Sequence, residues 1–265
     1  MKRYGKVLLA AVLISVIVYG LAGCASQKLS CSQAAGQIAH SDNAAIKPVP
    51  RDEKWMTRYN LINERAKKGG DAQVIFLGDS ITHGWEKVPQ VWDEYFGKYK
   101  PINAGIGGDK TQHVLWRLEH GNIDGINPKV AVVMIGTNNS NKEEYTAEQI
   151  AEGIEAVVCT LRTKLPDTKV LLLAIFPRGS DEQRKDKTQN AAFNPQWAKN
   201  DKASRLASQL ADGKMVVYLD INKKFLNNKG VMTRDIMPDL LHPEEKGYRI
   251  WAESILPTLE KMMAQ

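Results

Sequence analysis

Ser80 stands in Gly78-Asp79-Ser80, immediately after the apolar run Val74-Ile75-Phe76-Leu77, so its hydroxyl emerges where a strand should end. A serine hydroxyl is a poor nucleophile at neutral pH and needs a base to take its proton as it attacks an acyl carbon. The same residue at the same place also suits the N-cap of a following helix, and the tripeptide alone does not separate the two roles. The chain has five histidines from which a base could come. His40 lies in a polar N-terminal stretch. His83, three residues after Ser80, falls on the same short turn and reads as a rim or surface residue. His113 and His120 belong to one helical stretch and have no adjacent carboxylate, apart from Glu119 beside His120. His242 differs, because Asp239-Leu240-Leu241-His242-Pro243 directly precedes a final helix. A three-residue step lets Asp239 fold back within one turn and orient the imidazole. The alternative for this pair is a helix cap and a solvated loop histidine. With Ser80 at an exposed strand end, a Ser80, His242, Asp239 triad is the better expectation.

Acyl transfer also needs donors aimed at the oxyanion of the tetrahedral intermediate. Two segments following strands can supply them. In Asn103-Ala104-Gly105-Ile106-Gly107-Gly108-Asp109 the glycines allow close backbone approach, and in Gly136-Thr137-Asn138-Asn139 a side-chain amide can donate. The glycine-rich segment does not have the Gly-x-x-x-x-Gly-Lys-Ser/Thr spacing of a P-loop, so a phosphate cradle of that kind is not supported.

These residues must be held by regular elements. Apolar runs at 73–77, 99–103, 130–135, 170–175 and 215–219 read as strands, several of them continuous enough to be covered on both faces. Helical stretches are expected at 51–68, where Trp55, Tyr59 and Ile62 share a face before Gly69-Gly70, and at 111–119, 147–164, 190–211 and 244–263. Five strands separated by helices imply an α/β fold with a parallel, doubly wound sheet, whose ligand site lies beyond the carboxyl ends of the strands. The segments 190–197 and 225–237 fall near that edge and could shape specificity.

The blocks Gly78-Asp79-Ser80-Ile81, Gly105-Ile106-Gly107-Gly108-Asp109, Gly136-Thr137-Asn138 and Asp239-Leu240-Leu241-His242 resemble, in order, the four blocks of the GDSL, or SGNH, hydrolase family. The stretch from Gly105 through His113-Val114-Leu115-Trp116-Arg117-Leu118, with Pro128-Lys129-Val130, Gly136-Thr137-Asn138-Asn139 and Pro177-Arg178-Gly179, is similar to the catalytic subunits of intracellular platelet-activating factor acetylhydrolases. The resemblance covers roughly residues 51 to 263. It implies a flavodoxin-like three-layer α/β/α sandwich with a five-stranded parallel sheet and no metal or organic cofactor. It implies Ser80 as nucleophile, His242 as base and then acid, and Asp239 as its orienter. The Ser80 N–H, the Gly108 N–H and the Asn138 amide become the oxyanion donors. Ile81 replaces the leucine of the name motif, a conservative departure. The export-type leader is a larger departure and argues against platelet-activating factor itself as substrate.

That leader, residues 1–23, has Lys2, Arg3 and Lys6 before an apolar stretch and ends in Leu21-Ala22-Gly23-Cys24, which resembles a lipobox. Lipidation of Cys24 would place the protein in a bacterial cell envelope, on the outer membrane of a Gram-negative cell given Ala25. An ordinary cleaved signal or an uncleaved anchor is the alternative. Residues 24–50 then read as a lipidated cysteine and flexible tether, and 51–265 as the hydrolase domain. The formal charge of +6 falls to +3 once the three leader cations are removed, too little to argue for nucleic acid. Two other cysteines remain, Cys31 and Cys159, which make no disulfide framework, and Cys159 reads as a small core residue. Scattered histidines and the absence of a Cys-x-x-Cys pair speak against a metal site. The expectation is an esterase for short acyl, chiefly acetyl, groups, with O-acetylated glycans as plausible substrates. A lysophospholipase or thioesterase of the same fold and a non-catalytic glycan-binding lipoprotein are the rivals. Oligomeric state is not legible.

Overall fold

A computed structural model describes residues 41–141 and 144–264, together with Ser30, Cys31 and Gln33. The leader, Cys24 and His40 lie outside the described residues. The elements in chain order are α1 (Glu53–Lys68), β1 (Val74–Gly78), α2 (Ser80–His83), α3 (Pro89–Phe96), β2 (Ile102–Gly105), α4 (Thr111–Glu119), β3 (Val130–Met134), α5 (Ala147–Lys164), β4 (Lys169–Leu173), α6 (Asp181–Lys185), α7 (Pro195–Ala207), β5 (Val216–Leu219) and α8 (Glu245–Ala264). The five strands are all parallel, in the order β2-β1-β3-β4-β5. This is the flavodoxin-like order, whose switch point falls between β1 and β3.

Alternate strand residues feed two cores, as the two-residue period of a strand requires. Ile75, Leu77, Ala131, Val133, Val170 and Leu172 pack under α1, α4, α5 and α7. Val74, Phe76, Val130, Val132, Leu171 and Leu173 face the opposite layer, where Trp85, Phe96 and Trp251 surround Phe76. The result is the expected three-layer sandwich. Where boundaries moved, the backbone explains why. β2 starts at Ile102 rather than Tyr99 because Lys100 is left-handed, with φ 48°, and Pro101 follows it. The helix expected from Asn190 starts at Pro195, with the Asn194 side chain accepting from the N–H groups of Gln196 and Trp197. Three short helices, α2, α3 and α6, lack the length for a clear apolar period, and only a turn after Ser80 was legible.

Two expectations about the N-terminal region need correction. Residues 41–50 are docked on the domain rather than loose. Asn43 and Ala45 are buried, Asn43 Nδ2 donates to Gln149 O at 2.7 Å, and Thr111 Oγ1 donates to Ala45 O at 2.7 Å. Small side chains, read as a sign of flexibility, are what allow this segment to lie flat on α4 and α5. Second, Cys31 and Cys159 form a disulfide across 128 residues. Cys159 is buried as expected, but on the part of α5 that Cys31 reaches.

Candidate active site

β1 is buried along its whole length and delivers Ser80 to the carboxyl edge of the sheet. The turn there is tight. A Cβ on Gly78 would stand 2.1 Å from Thr82 Oγ1 and 2.4 Å from Met134 O, so only glycine fits. The capping role belongs to Asp79, whose Oδ1 accepts from Ile81 N–H at 2.9 Å, which leaves the Ser80 hydroxyl for other work. Burial pushes the Asp79 carboxyl up to about 7 against the pull of that backbone bond, and its Oδ2 has no hydrogen-bond partner among the described residues. Tyr248 of α8 donates to Ile81 O at 2.8 Å and anchors the turn from below.

The Ser80 Oγ lies 2.8 Å from His242 Nε2, and His242 Nδ1 lies 2.7 Å from Asp239 Oδ2. Asp239 Oδ1 accepts from the N–H groups of Leu241 at 3.0 Å and His242 at 2.7 Å, so the three-residue step closes as a turn. Leu240 pays for that closure with a left-handed backbone, φ 57°. Burial works against a charge on Asp239, but the hydrogen bonds from the His242 side chain and backbone outweigh it and hold the carboxyl well below the usual range. Arg184 of α6 adds a second partner at 3.2 Å from Oδ2. The chain of contacts is one through which an imidazole can take a hydroxyl proton while an ionised carboxylate supports the resulting cation.

The loop after β2 abuts Ser80. A Cβ on Gly107 would lie 3.9 Å from Ser80 Cβ, and Gly108 has φ +80° with Arg51 packed against it. Asp109, fully buried, anchors this loop. Its carboxylate accepts from Trp55 Nε1 at 2.7 Å and Arg117 Nε at 2.9 Å, and its carbonyl accepts from Asn138 Nδ2 at 2.9 Å. That bond orients the Asn138 amide and leaves its second N–H unused by Asp109. Asn139 in turn accepts from Thr111 N–H at 3.0 Å, fixing the loop after β3 to the start of α4. The loops after β1, β2 and β3 thus meet at the switch point, and the three expected oxyanion donors lie on them.

Several supporting residues were not singled out from the sequence. Arg117 is wholly buried and joins three loops, donating from Nε to Asp109, from Nη1 to Asn122 Oδ1 at 3.0 Å and from Nη2 to Gly78 O at 3.0 Å. The signal was a charged residue on a helix face otherwise occupied by Val114 and Leu118. Arg178, also buried, donates from Nη1 to Thr137 O at 3.1 Å and Asn141 Oδ1 at 2.8 Å, while its Nε and Nη2 find no partner among the described residues. Burial lowers its pKa to about 10. His113 caps α4, accepting from Lys110 N–H at 3.0 Å, and does face a carboxylate, Asp109, at 4.0 Å. His120 stacks on Trp116 away from Ser80. The segments 190–197 and 225–237 are joined by an Ala191–Met232 bridge and by the Arg234 N–H, which donates to Asn190 Oδ1 at 3.2 Å, while the Arg234 guanidinium donates to carbonyls of Gln183, Asp186, Gln189 and Pro238.

Comparison with known proteins agrees with this architecture. Platelet-activating factor acetylhydrolase IB subunit alpha1 of Homo sapiens is 33% identical over 234 residues, spanning 86% of this chain and 94% of that protein. Subunit alpha2 of Rattus norvegicus is 36% identical over 205 residues, 77% and 82% of the two chains. A GDSL-like lipase structure from Bacteroides thetaiotaomicron superposes with a TM-score of 0.58 at 21% identity, covering 77% of this chain and 97% of that one, which supports the fold. The model of the GDSL-like lipase/acylhydrolase family matches residues 76–250, and the chain belongs to that family of ester-cleaving hydrolases.

Proposed function

We propose that this chain is a serine esterase that removes short acyl groups, chiefly acetyl, from hydroxyl-bearing substrates through an acyl-enzyme. The observation that carries the reading is the continuous Ser80–His242–Asp239 contact, 2.8 Å and 2.7 Å, at the switch point of the sheet. In the first half-reaction Ser80 Oγ attacks the ester carbonyl as His242 Nε2 accepts its proton. The C–O bond to the alcohol then breaks, and His242 returns the proton to the departing oxygen. Water repeats the sequence on the acyl-enzyme and releases the carboxylic acid. The Ser80 and Gly108 N–H groups and the free N–H of Asn138 serve as donors to the oxyanion.

Acetyl is favoured because the curated relatives bear the name acetylhydrolase. The leader with Cys24 supports export and a lipid anchor in the cell envelope, and the Cys31–Cys159 disulfide is of the kind kept in oxidising compartments. O-acetylated glycans are substrates that an envelope enzyme would meet. The test compares 4-nitrophenyl acetate, octanoate and palmitate with the wild-type protein and with Ser80→Ala and His242→Ala. Fastest turnover on acetate is expected, with both variants losing several orders of magnitude in kcat, and by similar factors, since such groups act as a unit. Preference for palmitate would favour a lysophospholipase or thioesterase instead. A Ser80→Ala protein with near-normal turnover would remove Ser80 as nucleophile.

A further inference from the structure

Between the first turns of α1 and the loop after β2 lies a cleft of about 310 Å³, walled by Arg51, Lys54, Arg58, His83 and Gly107. It adjoins the nucleophile, because a Cβ on Gly107 would stand 3.9 Å from both Ser80 Cβ and His83 Nδ1. Its charges are unevenly balanced. Arg58 is matched by Glu86, with Nη2 2.8 Å from Oε1, and Glu86 is shared with Arg65. Arg51 donates to Gly107 O at 2.8 Å and stands 3.5 Å from Asp109, a carboxylate already paired with Arg117. Asp52 is also at the wall, but its carboxylate is turned to cap α1, accepting from Trp55 N–H at 3.0 Å. Lys54 is exposed, and its ammonium makes no hydrogen bond or ion pair among the described residues. The two imidazoles flanking the loop respond to these surroundings. Burial and the Arg58 charge lower the pKa of His83, and burial together with Arg51, Lys110 and Arg117 brings His113 down to about 4. Both are therefore neutral near pH 7, and neither adds to nor cancels the positive field.

We infer that this cleft is an anion subsite of the esterase, which selects esters whose alcohol portion carries a carboxylate or a phosphate close to the scissile bond. The inference rests on the esterase reading above. An acetyl group has no charge to place there, so the anion belongs to the alcohol. Lys54 and the outer face of Arg51 supply the recognition, and Gly107 keeps the passage from Ser80 to the cleft free of a side chain.

Three aryl acetates separate the possibilities: 4-acetoxybenzyl alcohol, which is neutral, 4-acetoxybenzoate and 4-acetoxyphenyl phosphate. At low ionic strength kcat/KM should favour one or both anions over the neutral ester by roughly tenfold, the scale of one charge-assisted hydrogen bond, chiefly through KM and less so at high salt. The arm that gains more identifies carboxylate or phosphate. Lys54→Glu should cut the anion-to-neutral ratio about tenfold, and Lys54→Arg should keep it. Because both esters are turned over by the same active fraction, the ratio is independent of any loss of folded protein. Equal kcat/KM for all three esters, or a ratio unmoved in both Lys54→Glu and Arg51→Gln, would overturn the subsite and leave the esterase reading standing. Failure to cleave even the neutral ester would count against both.

Discussion

Asp239 divides its work between two oxygens. Oδ1 is spent on the loop itself, holding the N–H groups of Leu241 and His242, and Oδ2 faces the imidazole and Arg184. Replacement by asparagine can keep the first function and removes the negative charge from the second. Asp239→Asn should therefore fold with a melting temperature close to wild type while kcat falls by roughly 10⁴, as in comparable triads where the imidazole is left in the wrong tautomer. A melt followed by circular dichroism and an ester assay check the two halves separately, and a loss below tenfold would show that Asp239 contributes only structure. The meeting of Ser80, His242 and Asp239 was legible because they sit at punctuated places, a strand end and a helix start. Arg184, Arg117 and Arg178 were not legible as site residues. Each reaches its partner across more than one element: a charge on an apolar helix face marks Arg117 as unusual without pointing to Gly78 O, and nothing near Arg178 points to Thr137 O.

At the scale of elements, α5 shows how well a periodic sequence specifies its helix. Thr146 and Gln149 form a reciprocal capping box, and the observed bounds, Ala147–Lys164, coincide with those read from the pattern. The same helix buries Glu155, an acid on an otherwise apolar face. Burial, with repulsion from Glu152, raises its pKa to about 7, whereas in the unfolded chain it would titrate near 4.5. The folded state thus keeps this proton to higher pH than the unfolded state. Stability from this group is full below about pH 4.5 and is lost as pH rises through about 7. Glu155→Gln should raise the melting temperature at pH 8, by the equivalent of about 1–3 kcal/mol, and leave it nearly unchanged at pH 4. Asp79, shifted in the same direction, should keep part of the slope in the variant. Denaturant titrations across this range decide the matter, and a variant less stable than wild type at pH 8 would contradict it. Shorter elements were less legible, since α2 and α6 span barely one turn and their positions depend on the Asp79 and Ser180 caps.

Over the whole molecule, the order of strands and helices follows from alternation of apolar runs, and the sheet order then places three loops at one switch point. The link between Cys31 and Cys159 could not be read in that way, because it joins segments 128 residues apart and depends on where the N-terminal segment lies on α5. Closing so long a loop restricts the unfolded chain, by up to about 5 kcal/mol in a chain-entropy estimate. Reduction, or Cys31→Ser, should lower the unfolding midpoint in denaturant, with esterase turnover of the folded protein retained because neither cysteine lies at the Ser80 edge. A midpoint unaffected by reductant would mean that the bond adds nothing to stability.

That disulfide also sets a working distance. Twenty-six residue steps separate Cys24 from Pro50, about 90 Å when fully extended, whereas only seven, about 25 Å at most, separate Cys24 from the point at which Cys31 is pinned to α5. With a lipid on Cys24, the enzyme would patrol the layer of envelope next to its membrane, and reduction of one bond would lengthen its leash.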